Sequence, residues 1–191
     1  MSEANQKRIL LLSGWYYPDA VGGTEKYVHH LARDLQGLGW AVFVAAPSID
    51  ENEHQYIHEG ISVYRYPVSL NPGRQELRGE LPPQYLDIFG NWIKTIKPDI
   101  VHFHSRTRGC GFYHAGLVKQ LGIPLVLTIH AADFMCVAKT GRLWGSDYCD
   151  GRLDEYRCSA CWLVSQGVGL RWLAWLFSHM PDLLAQGLVG L

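Results

Sequence analysis

Three groups of residues in this chain have types and spacings that could do chemistry. The first is the turn Gly22-Gly23-Thr24-Glu25, set after an apolar run and before an amphipathic stretch. A strand, a glycine turn and a helix N-terminus together present backbone N–H groups to an anion or a sugar. The turn therefore reads as a site for a phosphorylated ligand at the edge of an α/β sheet, with an ordinary tight turn into a helix as the equal alternative. Gly22 and Gly23 allow positive φ and close backbone approach. Thr24 can cap the helix, and Glu25 places a negative charge in its first turn. The second group is His102-x-His104 and His130, with Asp133 close behind. His102 and His104 share one strand face, because side chains alternate with period two. His104, at the strand end, can line a cleft, whereas His102, deeper, reads as a hydrogen-bonded core residue. The third group is Cys136, Cys149, Cys158 and Cys161, spaced C-x12-C-x8-C-x2-C. Four thiolates can hold a tetrahedral structural zinc, and the interleaved Gly141, Gly145 and Gly151 suit a loop folded around a metal. Unligated thiols, a Cys158–Cys161 redox pair and a [4Fe–4S] cluster are the alternatives. Cys110 stands apart and reads as a buried apolar side chain.

The elements that must position these residues follow from periodicity. Arg8–Leu12 is a continuous apolar run suited to a central strand buried on both faces. Tyr27, Val28, Leu31, Leu35 and Leu38 form the stripe of a helix that ends at Gly39. Trp40–Ala46, Ile61–Tyr66, Ile100–Phe103 and Leu125–Ile129 predict further strands. Gln84–Ile96 and Gly109–Leu121 predict helices, and Ser48–His58 and Asn71–Pro83 predict loops. The alternation predicts an α/β fold with a Rossmann-like, doubly wound parallel sheet. A Cys-rich segment, 134–161, and a C-terminal helical segment complete one domain, 1–191. Ligands of such sheets sit beyond the carboxyl ends of the strands, where the loop after Leu12, His104 and His130 all fall. Tyr16, Tyr17 and Asp19 lie in that loop, as acceptor contacts or as solvent-facing decoration.

Composition narrows the class. Of the 191 residues, 48% are hydrophobic and 18% charged, as in a globular protein. A net charge of −1 gives no electrostatic argument for nucleic acid. Met1 to Lys7 is polar and lacks the apolar centre of a signal peptide, so the expected compartment is the cytoplasm. Five cysteines in a reducing compartment argue against a disulfide framework. No uninterrupted apolar run reaches the ~18 residues of a spanning helix. Trp162–Phe177, rich in tryptophan and leucine, reads as core packing or as a surface that a further domain would cover. Its second reading is peripheral contact with the inner face of a membrane.

Four motifs occur in one order: Gly22-Gly23-Thr24-Glu25, Leu38-Gly39-Trp40-Ala41-Val42, Lys97-Pro98-Asp99-Ile100-Val101-His102-Phe103-His104 and Leu127-Thr128-Ile129-His130. Over about residues 8–133 the chain resembles the N-terminal half of a retaining, GT-B-fold glycosyltransferase of family 4. It departs from the family at Gly39-Trp40, where Gly-His is usual. The resemblance implies transfer of a sugar from a nucleotide-sugar donor to a glycan or lipid-linked acceptor, with retention. It implies that Gly22, Gly23 and Thr24 lie over the donor's diphosphate and sugar. It makes His130 the catalytic contact near the anomeric centre, His104 and Asp133 lining residues, and the reaction independent of a catalytic metal. Family enzymes carry a second, nucleotide-binding domain with a glutamate pair; without it, this acceptor-side domain is expected to have little activity alone. Two other functions fit the residues. One is a metal-dependent hydrolase using His102, His104, His130 and Asp133. The other is a non-enzymatic, zinc-stabilised module that binds sugar or a partner protein.

Overall fold

A computed structural model describes residues 6–107, 109–130, 132, 135–167 and 169–178. Two compact units make up the chain, Met1–His130 and Ala131–Leu191. In the first, the order is β1 (Arg8–Leu12), α1 (Gly23–Gly37), β2 (Ala41–Pro47), β3 (His54–His58), β4 (Ile61–Tyr66), α2 (Arg74–Leu77), α3 (Leu86–Ile96), β5 (Ile100–Phe103), α4 (Phe112–Gln120) and β6 (Leu125–Leu127). The strands form one sheet in the order β3-β4-β2-β1-β5-β6. All neighbours are parallel except β3 and β4. The chain winds outward from β1 through β2 on one side and resumes at β5 on the other. The carboxyl ends of β1 and β5 are therefore the switch point, where such sheets bind ligands.

Both faces of the sheet are buried, and the alternation of β1 divides them. Leu10 and Leu12 pack with Phe89 and Ile93 of α3 and Val118 of α4. Ile9 and Leu11 pack with Val28 and Ala32 of α1. Trp40 rests against this second cluster, next to Gly39, whose φ of 86° only glycine adopts easily. The departure from Gly-His is thus filled by a packed aromatic ring.

The structure corrects several expectations. The segment taken as the loop Ser48–His58 contains β3, an edge strand whose one aliphatic residue, Ile57, faces solvent, so it shows no apolar alternation. β3 joins β4 through the two-residue turn Glu59-Gly60, with φ of 45° and 82°, the left-handed pair that suits a hairpin. The loop Asn71–Pro83 contains the short helix α2. Helix α1 begins at Gly23 with Gly22 as its N-cap, so Thr24 lies inside the helix and does not cap it. β6 stops at Leu127 and forms an edge of the sheet, leaving Val126, Leu127 and Ile129 exposed.

The second unit is small. A hairpin of β7 (Arg142–Leu143) and β8 (Asp147–Tyr148) precedes α5 (Glu155–Ser165) and α6 (Arg171–Ser178). Asp154 caps α5 by accepting from the Arg157 N–H at 2.7 Å. Among the described residues beyond His130, the buried apolar side chains are Ala160, Cys161 and Ala174. Trp172 and Trp175 of α6 are more than half exposed, so α6 is not packed as a core helix. No described helix is long and apolar enough to cross a membrane.

Candidate functional site

Strand register brings the histidines together. Leu11 pairs with His102, and Leu11 faces α1, so His102 and His104 face α1 too. His102 in turn pairs with Val126, and the same parity carries Thr128 and His130 to that face. The rings of His102 and His104 lie 4.0 Å apart. His104 Nδ1 lies 3.2 Å from His130 Nε2. His102 Nε2 is engaged by Thr128 Oγ1 at 2.7 Å. Tyr27, in the first turns of α1, brings its ring to 4.9 Å from His130 and 5.8 Å from His104. The order of depth is the reverse of the expected one. His104 is 1% exposed and His102 only half-buried, because Tyr27 packs on the outer of the two. His130 is exposed.

Burial, then the neighbouring rings of His102 and His130, hold the His104 pKa at about 3. Burial and His130 lower that of His102. Both are therefore neutral imidazoles near neutral pH. His104 Nε2 and Thr107 Oγ1 are buried with no hydrogen-bond partner among the described residues. Asp133 lies outside the described residues.

The glycine turn works differently from the expectation. Gly22 is extended, with φ of −113°, and neither Gly22 nor Gly23 takes the left-handed conformation. The small size of Gly22 matters in another way. A Cβ there would stand 2.5 Å from Glu25 Oε2, the oxygen that accepts the Gly22 N–H at 2.7 Å. Glu25 is a buried carboxylate that caps its own helix and occupies one amide of the turn. The first helical bond runs from the Lys26 N–H to Gly22 O at 3.1 Å, so the amides of Gly23, Thr24 and Glu25 precede the helical ladder. The glycines that close packing demands at this edge are Gly14 and Gly109. A Cβ on Gly14 would collide with Thr107 Cγ2, and one on Gly109 would stand 2.6 Å from Pro47 Cγ.

Tyr16, Tyr17 and Asp19 are neither free acceptor contacts nor decoration. Arg65 of β4, 3% exposed, donates to Tyr16 O at 2.7 Å, Tyr17 O at 3.0 Å and Pro47 O at 3.2 Å. Its guanidinium pairs with Asp19 at 2.7 Å. The Tyr16 hydroxyl lies 3.0 Å from His29 Nδ1, the Tyr17 ring stacks on His58, and the Tyr56 hydroxyl donates to Tyr17 O. One buried cation thus fixes the loop that leads into the glycine turn.

In the second unit, α5 puts Cys158 and Cys161 one turn apart on one face. Cys136 precedes β7 and Cys149 follows β8. All four line one cavity of about 20 Å³. The Trp144 N–H donates to Cys161 Sγ at 3.2 Å and the Asp154 N–H to Cys158 Sγ at 3.5 Å. Slight burial raises the Cys136 pKa, but bonds from the amides of Gly141, Thr140, Ala138 and Lys139 outweigh it, and the net shift is downward. No disulfide joins the cysteines. Among the described residues no three His, Cys, Asp or Glu side chains already stand at spacing that would hold a metal ion; this applies to the histidines as well as the thiols. Cys110 is fully buried as expected, and burial pushes its thiol up.

Sequence reasoning missed Tyr27, Arg65 and Gly14. Tyr27 was absorbed into the apolar stripe, although its place in the first turns of α1 puts it at the strand ends. Arg65 shares the inward parity of Ile61 and Val63, and a cation at such a position was the available signal.

The family model described as Glycosyltransferase Family 4 matches residues 21–183. No curated protein matches the chain. Among solved structures, MurG of Acinetobacter baumannii is similar with a TM-score of 0.46 and 17% identity, over 66% of this chain and 35% of that one. Sucrose-phosphate synthase of Thermosynechococcus elongatus is similar with a TM-score of 0.42 and 19% identity, over 67% of this chain and 66% of that one. The chain thus spans 35% of the MurG chain's length.

Proposed function

We propose, because the chain belongs to glycosyltransferase family 4, that it is the acceptor-side Rossmann-like lobe of a GT-B enzyme. That enzyme transfers a sugar from a nucleotide-sugar donor to a glycan or lipid-linked acceptor, with retention of configuration. The observation that carries the reading is the meeting of Tyr27, His104 and His130 at the switch point of the sheet. The helix that follows the glycine turn and the histidine after β6 border one place.

The roles follow from protonation. A buried N–H without a partner is rarer than a bare acceptor, so we assign the proton between the two rings to His104 Nδ1. His104 then donates to His130 Nε2, and His130 keeps its proton on Nδ1. That N–H can donate to a hydroxyl of the donor sugar. A neutral imidazole does so without adding positive charge beside a developing oxocarbenium centre. The acceptor oxygen bonds to the anomeric carbon on the face from which the nucleoside diphosphate departs, and the hydroxyl proton passes to an oxygen of the leaving diphosphate. The amides of Gly23 and Thr24 and the dipole of α1 favour the departing anion. Gly22 contributes room for the Glu25 cap, while Glu25 holds its amide. Amide dipoles and basic side chains of a second lobe supply the charge compensation for which other transferases use a metal, and this lobe alone is expected to turn over little or no donor.

The test uses the two-lobed enzyme with its donor and acceptor identified by screening. His130→Ala should lower kcat by about 10²–10³-fold with little change in KM. An unchanged kcat would overturn the assignment.

A further inference from the structure

We propose that the unit Ala131–Leu191 is organised around one zinc ion held by the thiolates of Cys136, Cys149, Cys158 and Cys161. The proposal is independent of the transferase reading. Its first support is convergence: residues spread over three separate segments line a single cavity of about 20 Å³, a space of atomic rather than molecular size. Its second is the direction of the backbone. The amide of Trp144 addresses Cys161, and that of Asp154 addresses Cys158. N–H donors aimed at sulfur stabilise the thiolate, the form that binds metal. Left-handed φ at Lys139, Gly141, Trp144, Gly145 and Gly151 lets the loop fold that tightly.

The third support is the small size of the unit. Among its described residues the buried apolar side chains are Ala160, Cys161 and Ala174, and its cysteines form no disulfide. A small unit gains from a staple, and a structural metal is a common one. The fourth is charge. Four thiolates around Zn²⁺ carry a net charge of −2, and Arg142, Arg152 and Arg157 line the same cavity. Arg157 also pairs with Asp150 at 2.8 Å, and its Nε is buried with no hydrogen-bond partner among the described residues. The thiols do not yet stand at ligand distance. Binding draws each sulfur to about 2.3 Å from the ion.

Anaerobic titration of the reduced, chelator-treated full chain with Co²⁺ tests the proposal. One equivalent should bind with a sulfur-to-cobalt charge-transfer band and tetrahedral d–d bands, and one equivalent of Zn²⁺ should abolish both. Cys110→Ser should leave the titration unchanged, and Cys149→Ser should weaken binding at least about 100-fold. Removing the metal should open residues 135–161 to proteases while the six-stranded sheet keeps its circular-dichroism signal. Absence of the charge-transfer band, an octahedral cobalt spectrum, or iron with acid-labile sulfide in anaerobically purified protein would each overturn it. So would metal binding lost in His102→Ala but kept in Cys158→Ser. The titration of the unmodified chain decides the question even if a cysteine variant fails to fold.

Discussion

His104 illustrates how burial sets chemistry at a single residue. Folded, it binds a proton only near pH 3; unfolded, a histidine binds one near 6.5. Above the unfolded value the difference has no effect on stability. As pH falls below about 6.5 the unfolded chain takes the proton first, and stability is lost. The slope approaches about 1.4 kcal/mol per pH unit for each such histidine. His114, which burial holds at about 4, acts with the same sign. Melting temperature should therefore decline between pH 6.5 and 4.5, above the range of the carboxylates, and His104→Gln should flatten the decline. Thermal denaturation at several pH values measures this directly. The glycines give a second contrast. Gly23→Ala meets open space in the first turn of α1 and should be neutral or gain up to about 1 kcal/mol. Gly14→Ala drives a methyl into Thr107 and should lose about 1–3 kcal/mol. Chemical denaturation of the two variants ranks them, and equal stabilities would contradict the packing described.

At the scale of elements, Arg65 joins β4 to the loop between β1 and α1. Arg65→Ala would strip the charge partner from Asp19 and the donors from three carbonyls, at a cost of about 3–5 kcal/mol. Arg65→Lys should recover only part of this, since an ammonium cannot reproduce the guanidinium fork. Urea denaturation of both variants separates charge from geometry. The same strands show what the sequence could reveal. β1 and β5 were readable because a strand buried on both faces must be apolar throughout or end in polar residues at a ligand edge. β3 was not, because an edge strand such as His-Gln-Tyr-Ile-His has no apolar face to declare. The histidine site was readable as to its edge of the sheet, since period-two alternation fixes faces. Its depth was not, because Tyr27 comes from an element distant in sequence. The glycine turn was readable as a turn into a helix, but the carboxylate that Gly22 leaves room for was not.

At the scale of the molecule, the two units are stabilised by different means. Met1–His130 holds both apolar clusters; the other unit gathers its cysteines about a small hole lined by arginines. One feature of the larger unit bears on how the protein behaves in solution. Among the described residues no strand pairs with the outer side of β6, and Val126, Leu127 and Ile129 are exposed. Natural sheets blunt such margins with charge, and here none is supplied by the strand itself. Leu127→Lys should raise the concentration at which light scattering first detects multimers, with no loss of melting temperature beyond about 1 kcal/mol equivalent. Left as it is, that margin is a seam onto which a foreign strand can be stitched, and crowding such molecules together invites polymer growth in the direction perpendicular to the strands.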